Sequence, residues 1–286
     1  MSSPDRKPPY HLVSRESRPE LGSGTAEVAV AGVRFGGGLP VIIAGPCTVE
    51  SREQTFGAAE AAQQAGADML RGGVWKTRTS PYDFQGLGEE GLRILEEARA
   101  RTGLPFVTEV LDPRHVGTAA ASADMLQVGT RSMHNTPLLK EVGRAGRPVL
   151  LKRGWASTLD EWLCAAEYVA SEGVLDIVLC ERGIRLDPKA PHASPTLDFE
   201  AIGKLRRATF LPVIVDPSHG TEDAALVPGA SARALARKAD GLLIEILPRR
   251  WTADRVRCDG HQSITPEALG EIVRRAKPDP GNPPGA

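Results

Sequence analysis

The sequence MLRGGVWKTRTSPYDFQGLG, residues 69–88, begins as an apolar run of strand length and then becomes strongly basic. Its three cations, Arg71, Lys76 and Arg78, fall within eight residues, and two hydroxyl residues follow them. Arginine binds phosphate or carboxylate through two parallel hydrogen bonds, and lysine adds a mobile point charge. Taken alone, the stretch indicates either a site for a small ligand with two anionic groups or a strand that leads into a solvated basic loop.

Apolar runs of strand length recur along most of the chain. They occupy residues 41–45, 69–75, 106–110, 125–129, 149–152, 177–181, 213–216 and 242–246. Their near-continuous apolar character is typical of parallel strands buried on both faces. Eight such strands, each followed by a helical segment, predict an α/β fold, a (β/α)8 TIM barrel. A doubly wound open sheet is the alternative, but the glycine fingerprint GxGxxG is missing after the first strand.

Capping patterns indicate where several of the intervening helices begin. Residues 158–161, TLDE, form a capping box, and Ser51 is an N-cap candidate. Thr265 precedes Pro266, which is the usual order at a helix start. Residues 88–101 are amphipathic and predict a further helix.

The flanking segments predict the domain organisation. Residues 26–35 alternate in polarity and predict a hairpin that turns at Ala31-Gly32. We therefore expect an N-terminal arm and hairpin over residues 1–38, a catalytic barrel over 39–277 and a disordered Pro/Gly-rich tail over 278–286. With about 40 residues before the first barrel strand, we expect no appended regulatory domain.

Composition excludes several classes of protein. The net charge of -1 leaves no basic excess for a nucleic acid or a membrane surface. We find no apolar run long enough for a transmembrane helix and no signal-peptide pattern at the N-terminus. The four cysteines are widely separated, which argues against a zinc ribbon or a disulfide framework and favours a cytoplasmic location.

A barrel of this kind carries its active site at the carboxyl ends of the strands. Every predicted strand here ends in polar, charged or metal-competent residues, and the third presents Glu109. Four cations from the second, fourth, fifth and sixth strands could converge on one doubly anionic ligand: Arg71, Arg131, Lys152 and Arg182.

A second group of side chains falls on the first, seventh and eighth strands, which are neighbours in a closed barrel. Cys47, His219 and Glu245 would offer thiolate, imidazole and carboxylate to a divalent transition metal. The alternatives are a small buried hydrophobic residue for Cys47 and a hydrogen-bonded histidine for His219. Cys164 and Cys180 are expected to fill the core.

Eight blocks near the predicted strand ends resemble a known family: GPCTVES (45–51), KTRTSPYDFQGLG (76–88), TEVLDPR (108–114), QVGTRSMHN (127–135), LLKRG (150–154), LCERGIR (179–185), VDPSHG (215–220) and DGHQS (259–263). The family is the 3-deoxy-7-phosphoheptulonate (DAHP) synthases. The short subfamily, which also resembles the 3-deoxy-octulosonate 8-phosphate synthases, is the most similar. With PYHLVSRE (9–16), the resemblance covers nearly the whole chain.

The resemblance implies a condensation of phosphoenolpyruvate with erythrose 4-phosphate, the first step of the shikimate pathway. Phosphoenolpyruvate would be held by the four cations Arg71, Arg131, Lys152 and Arg182. Lys76 would bridge both substrates, and Arg78 with Thr79 would bind the sugar phosphate. The implied metal ligands are Cys47, His219, Glu245 and Asp259, for manganese, iron, cobalt or zinc. The family also tends to form homodimers or homotetramers.

This reaction also needs catalytic groups, and we expect Lys76, Glu109 and His219 to supply them. Lys76 lies close in sequence to Arg71 and Arg78, so like-charge repulsion is expected to lower its pKa. We therefore predict that Lys76 donates a proton to the forming alkoxide and that Glu109 positions the attacking water.

Several positions depart from the family pattern, and they leave alternatives open. The departures are Thr77, residues 132–135, residues 186–195 and Leu247, all in loops expected around the acceptor sugar and the metal. A paralogue that uses another aldose phosphate is therefore one alternative. The octulosonate type fits less well, because the two residues that its members place between the lysine and the arginine are replaced here by Thr77 alone. A Schiff-base aldolase using Lys152 and a non-catalytic metabolite sensor are the others.

Overall fold

Eight parallel strands close into a barrel in the computed structural model, which describes residues 8–185, 195–248 and 250–278. An antiparallel hairpin precedes the barrel. The strands of the described residues are β1 (Val28–Val30), β2 (Val33–Phe35), β3 (Val41–Gly45), β4 (Met69–Arg71), β5 (Phe106–Val110), β6 (Met125–Val128), β7 (Val149–Lys152), β8 (Ile177–Glu181), β9 (Val213–Val215) and β10 (Gly241–Glu245). Strands β3 to β10 are neighbours in chain order, and β10 pairs with β3. The (β/α)8 prediction is confirmed, and the open sheet is excluded.

Every barrel strand is followed by at least one helix. The helices are α1 (Arg52–Gln64), α2 (Glu89–Thr102), α3 (Pro113–Ser122), α4 (Thr136–Arg144), α5 (Leu159–Ala170), α6 (Phe199–Ala208), α7 (Pro217–Thr221), α8 (Val227–Ala236) and α9 (Pro266–Ala276). The predicted caps are confirmed: the capping box at Thr158 is complete, and Ser51 and Thr265 each accept a backbone N–H in the first turn of their helix.

The strand predicted over residues 69–75 is shorter in the structure and ends at Arg71. Gly73 donates its N–H to Cys47 O at 3.2 Å, so the chain follows the loop after β3 and leaves the barrel ladder. A Cβ at Gly72 would lie 2.9 Å from Leu95 Cδ2, which shows how closely α2 approaches there. This course carries Lys76 toward the mouth of the barrel.

The hairpin closes the amino-terminal end of the barrel. Val28, Val30 and Phe35 pack against side chains inside the barrel, among them Ile43 and Met125. The prediction of a hairpin turn at Ala31-Gly32 is confirmed. Both residues have positive φ angles, as a tight hairpin turn requires. Because this end is filled by apolar side chains, the opposite end is the one available to a ligand.

Outside the barrel, the described residues agree with the remaining expectations. Residues 8–25 form an irregular arm that includes two short 3-10 helices, and Glu167 on α5 accepts three backbone N–H groups from this arm. Within the described ranges, every helix is too short or too polar to cross a membrane. The predicted extension over 186–195 and the tail over 278–286 fall almost entirely outside those ranges. The proposed domain boundaries remain predictions.

Candidate active site

A cavity of about 350 Å³ lies at the carboxyl ends of the barrel strands. It is lined by most of the residues predicted from sequence: Lys76, Arg78, Thr79, Glu109, Arg131, Lys152, Arg182, His219 and Asp259. Beneath it, a smaller space of about 20 Å³ is lined by Cys47 and Arg71, together with Lys76, Glu109, Lys152 and His219. The predicted cations therefore line two adjoining spaces: Arg71 lines only the smaller one, and Lys76 and Lys152 line both.

Cys47, His219 and Glu245 bring one ligand atom each to within 4.8 Å of the others. Barrel closure is the cause, since Glu245 pairs in register with Gly45, two residues before Cys47. His219 Nε2 lies 3.2 Å from Glu245 Oε1, and that oxygen is buried without a hydrogen-bond partner among the described residues. Burying a carboxylate oxygen without a hydrogen-bond partner costs free energy unless a cation or a hydrogen-bond donor reaches it.

The orientation of His219 is fixed by Asp216. The Nδ1 atom of His219 lies 2.7 Å from Asp216 Oδ2, and the other carboxylate oxygen accepts the backbone N–H of His219 at 2.9 Å. A carboxylate on Nδ1 leaves the Nε2 lone pair for a metal ion. Burial lowers the pKa of His219, so the imidazole is neutral at neutral pH, as a ligand must be.

The carboxylates of this cluster are ionised despite their burial. Burial raises the pKa of Asp216, but His219 and Lys152 outweigh it and bring that pKa well below its ordinary value. Burial likewise raises the pKa of Glu245, but the nearby His219 ring and the guanidinium of Arg71 more than offset this. The cluster therefore presents anionic oxygen beside neutral imidazole nitrogen.

A second group of ligand atoms shares Cys47 with the first. It consists of Cys47, Cys258 and Asp259, again within 4.8 Å of one another. Cys47 Sγ lies 3.2 Å from Asp259 Oδ2. Asp259, implied only by the family resemblance, thus joins the cluster through Cys47. Cys258 was not foreseen, because neither strand periodicity nor the quoted motifs include it.

The deep cations are paired with these carboxylates. Lys152 Nζ lies 2.6 Å from Asp216 Oδ2, and both groups are buried. Arg71 Nη1 lies 3.1 Å from Glu245 Oε1, but the contact lacks hydrogen-bond geometry, and neither atom has a hydrogen-bond partner among the described residues. Such an arrangement leaves both charges able to turn toward a ligand.

Three arginines that line the larger cavity surround Trp155, a residue that no sequence pattern predicted to be functional. The guanidinium carbons of Arg131, Arg182 and Arg185 lie 4.7, 5.9 and 4.0 Å from the centre of its ring. All four side chains line the cavity. Arg182 Nη1 and the indole N–H are buried without a hydrogen-bond partner in the described part of the chain. An aromatic face lets like charges gather and keeps their donors oriented toward an anion.

The expected lowering of the Lys76 pKa is wrong. Lys76 Nζ lies 2.9 Å from Cys47 Sγ and 2.9 Å from Asp259 Oδ2. Burial lowers the pKa of Lys76, but attraction by Cys47, Cys258 and Asp259 outweighs it and raises that pKa well above its ordinary value. Side chains from distant parts of the sequence decide the direction of this shift.

Glu109 and the two residues predicted to bind the sugar phosphate, Arg78 and Thr79, occupy separate positions in the cavity. Glu109 Oε2 accepts a hydrogen bond from Gln127 Nε2 at 2.9 Å. A Cβ at Gly129 would lie 1.9 Å from Glu109 Oε1, so a glycine is required for this carboxylate to lie here. Arg78 places Nη1 3.3 Å from Cys258 Sγ, and Thr79 is exposed at the rim.

The other two cysteines lie away from the cavity. Cys180 is buried within β8, as expected of a core residue. Cys164 on α5 is only partly buried, although it does pack against the core.

Comparison with known proteins identifies a family. Residues 16–278 match the model of the DAHP synthetase I family. The chain is 42% identical over 269 residues to the phospho-2-dehydro-3-deoxyheptonate aldolase of Thermotoga maritima, covering 94% of this chain and 77% of that protein. It is 34% identical to the 2-dehydro-3-deoxyphosphooctonate aldolase of Syntrophotalea carbinolica, covering 86% of this chain and 92% of that protein.

Solved structures give the same result. The crystal structure of the Thermotoga maritima DAHP synthase superposes with a TM-score of 0.87 at 41% identity, covering 95% of this chain and 77% of that one. A truncated form of the same enzyme gives 0.82 at 39% identity, covering 93% of this chain and 94% of that one.

Replacing Trp155 with leucine should weaken anion binding in the cavity. The substitution removes the aromatic face beneath three guanidinium groups, so we expect the affinity for inorganic phosphate to fall roughly three- to tenfold. Isothermal titration at low ionic strength measures this. Trp251→Leu, in a groove lined by Phe56 and Pro248, is the matched control and should bind phosphate normally. Equal affinity in both variants would contradict the role of Trp155.

Proposed function

We propose that this chain, a member of the DAHP synthetase I family, works by a metal-dependent aldol-type condensation in the cavity described above. It is an enzyme that joins phosphoenolpyruvate to erythrose 4-phosphate, giving DAHP and phosphate. The observation that carries the proposal is the position of Cys47. Its sulfur joins two groups of metal-competent ligand atoms directly beneath a cavity lined with cations.

The residues present suit a divalent ion. Cys47, His219, Glu245 and Asp259 would hold it, and Glu245 Oε1, which no described residue hydrogen-bonds, is the atom that most needs such a partner. When bound, the ion would act as a Lewis acid on the aldehyde oxygen of the acceptor. Sulfur, nitrogen and oxygen ligands together accept manganese, iron, cobalt or zinc.

The cations of the two adjoining spaces suggest how phosphoenolpyruvate is oriented. We assign its phosphate and carboxylate to Arg131 and Arg182, which line the larger space, and to Lys152 and Arg71, which line the smaller one. Held at both ends, the enol would present carbon 3 to the acceptor, and the restriction of its motion lowers the barrier to reaction. The cations would also stabilise the phosphate as its bond to carbon breaks.

The acceptor would enter from the rim. Arg78 and Thr79 are assigned to its phosphate, which directs the aldehyde inward toward Cys47 and Lys76. With its raised pKa, Lys76 is protonated at neutral pH. It can therefore stabilise the forming alkoxide and give it a proton. Glu109, held by Gln127, is assigned to the water that adds at carbon 2.

The structure disfavours the Schiff-base alternative. A Schiff-base lysine must present a neutral amine to its substrate. Lys152 Nζ is instead buried and ion-paired with Asp216 at 2.6 Å. The octulosonate reaction remains the second candidate, because a relative with that activity in its name matches at 34% identity over 86% of the chain.

We propose that the enzyme acts in the cytoplasm as a homo-oligomer. Its four cysteines are free thiols, which suits the reducing cytoplasm. We retain a homodimer or homotetramer as the expected assembly, on the family resemblance alone.

Metal removal combined with an acceptor panel tests the reaction. After chelation, phosphate release from phosphoenolpyruvate should stop, and it should return when manganese or zinc is added. Erythrose 4-phosphate should be used in preference to ribose 5-phosphate and arabinose 5-phosphate. Cys47→Ser should weaken metal binding by about 100-fold or more, whereas Cys164→Ser is the control and should not.

Two results would contradict the proposal. Full activity without metal, with substrate trapped on the protein by borohydride, would support a Schiff-base aldolase. A clear preference for arabinose 5-phosphate would support the octulosonate reaction.

Replacing Lys76 with methionine tests the proton donor. Methionine keeps the length of the side chain but removes the charge, so kcat should fall by roughly 10²–10⁴-fold. Steady-state kinetics with both substrates measures this, and Lys204→Met, exposed on α6, is the matched control. Near-normal turnover by the Lys76 variant would defeat the assignment.

A further inference from the structure

Cys258 lies in the loop after β10, immediately before Asp259, and is buried. Its Sγ atom lies 3.3 Å from Cys47 Sγ and 3.1 Å from Asp259 Oδ2. The third side of this triangle, from Cys47 Sγ to Asp259 Oδ2, is 3.2 Å. Three atoms of the kinds that bind transition metals therefore lie at nearly equal distances from one another.

The dimensions of this triangle suit one shared cation. Bonds of about 2.0–2.3 Å at angles of about 90–110° place neighbouring ligand atoms roughly 2.8–3.8 Å apart, as around an ion with four or five ligands. The observed sides fall within this range. The side chains around the triangle also indicate that it attracts positive charge. Lys76 Nζ contacts both Cys47 and Asp259, and Arg78 Nη1 contacts Cys258.

A role as an inert core residue does not account for these contacts. A buried structural cysteine lies among apolar atoms and fills space. Cys258 instead contacts a thiol, a carboxylate and a guanidinium. A second observation points to a ligand beside this triangle: Glu245 Oε1, which is grouped with Cys47 and His219, is fully buried and has no hydrogen-bond partner among the described residues.

We propose that Cys258 is a metal ligand, so that the ion in this site is bound by two cysteine sulfurs, Cys47 and Cys258. The inference rests on the metal site of the proposed function and adds a ligand to it. Its consequence is selectivity: a second soft thiolate favours zinc or iron over manganese, which prefers oxygen ligands.

Cobalt binding to the metal-free protein tests this without any turnover. The near-ultraviolet sulfur-to-cobalt charge-transfer absorption grows with the number of bound thiolates. We expect Cys258→Ser to lose about half of it, with Cys47→Ser losing a comparable share. Cys164→Ser, a partly exposed cysteine on α5, is the matched control and should leave the absorption unchanged. The zinc-to-manganese affinity ratio should fall roughly tenfold or more in Cys258→Ser.

Zinc-edge X-ray absorption on the wild-type protein gives an independent count, which is needed if the serine variant does not fold. Two sulfur neighbours per zinc would support the inference, and one would overturn it. An unchanged cobalt spectrum in Cys258→Ser, with its loss in Cys47→Ser, would also overturn it while leaving the proposed function intact. If the wild-type protein shows no cobalt–thiolate absorption, both this inference and the proposed metal site fail.

Discussion

The pairing of the last barrel strand with the first is the constraint on which the site depends. β10 runs parallel to β3 in a continuous register from Gly241 opposite Val41 to Glu245 opposite Gly45. This register places the carboxylate of Glu245 near Cys47, although the two residues lie at opposite ends of the chain. α7, which follows β9, then brings His219 to the same point. Closure of the barrel therefore creates the cluster, and no local segment could.

Charge balance decides what the site can bind. Carboxylates and cations are buried next to each other beneath the cavity, as Lys152 with Asp216 and Arg71 with Glu245. Buried pairs of this kind contribute little to stability, because desolvation offsets their attraction. Their value is in preorganisation, since donors already fixed in a water-poor site need not reorganise when an anionic substrate arrives. The three arginines around Trp155 extend the same positive surface toward solvent.

What the sequence predicted well was encoded by short-range pattern. The caps at Ser51, Thr158 and Thr265 and the hairpin turn depend on a few adjacent residues, and the structure confirms them. The barrel followed from the repeated apolar runs. The second barrel strand, β4, was predicted too long. Its apolar residues continue past Gly72, but the backbone there leaves the barrel ladder and hydrogen-bonds to Cys47.

What the sequence missed depends on contacts between distant segments. The pKa of Lys76 was inferred from the two arginines near it in sequence, whereas the thiols and the carboxylate that surround it come from the loops after β3 and β10. Cys258 and Trp155 carry no periodic or capping signal. Only their placement beside Cys47 and beside three guanidinium groups reveals them.

The most direct test of the shared metal site is a crystal structure of the protein grown with zinc or manganese, with anomalous diffraction collected at the metal edge. We predict one anomalous peak about 2.0–2.3 Å from both Cys47 Sγ and His219 Nε2, beneath the cavity. A catalytically active crystal form whose metal peak lies elsewhere, or which shows none at Cys47, would contradict it.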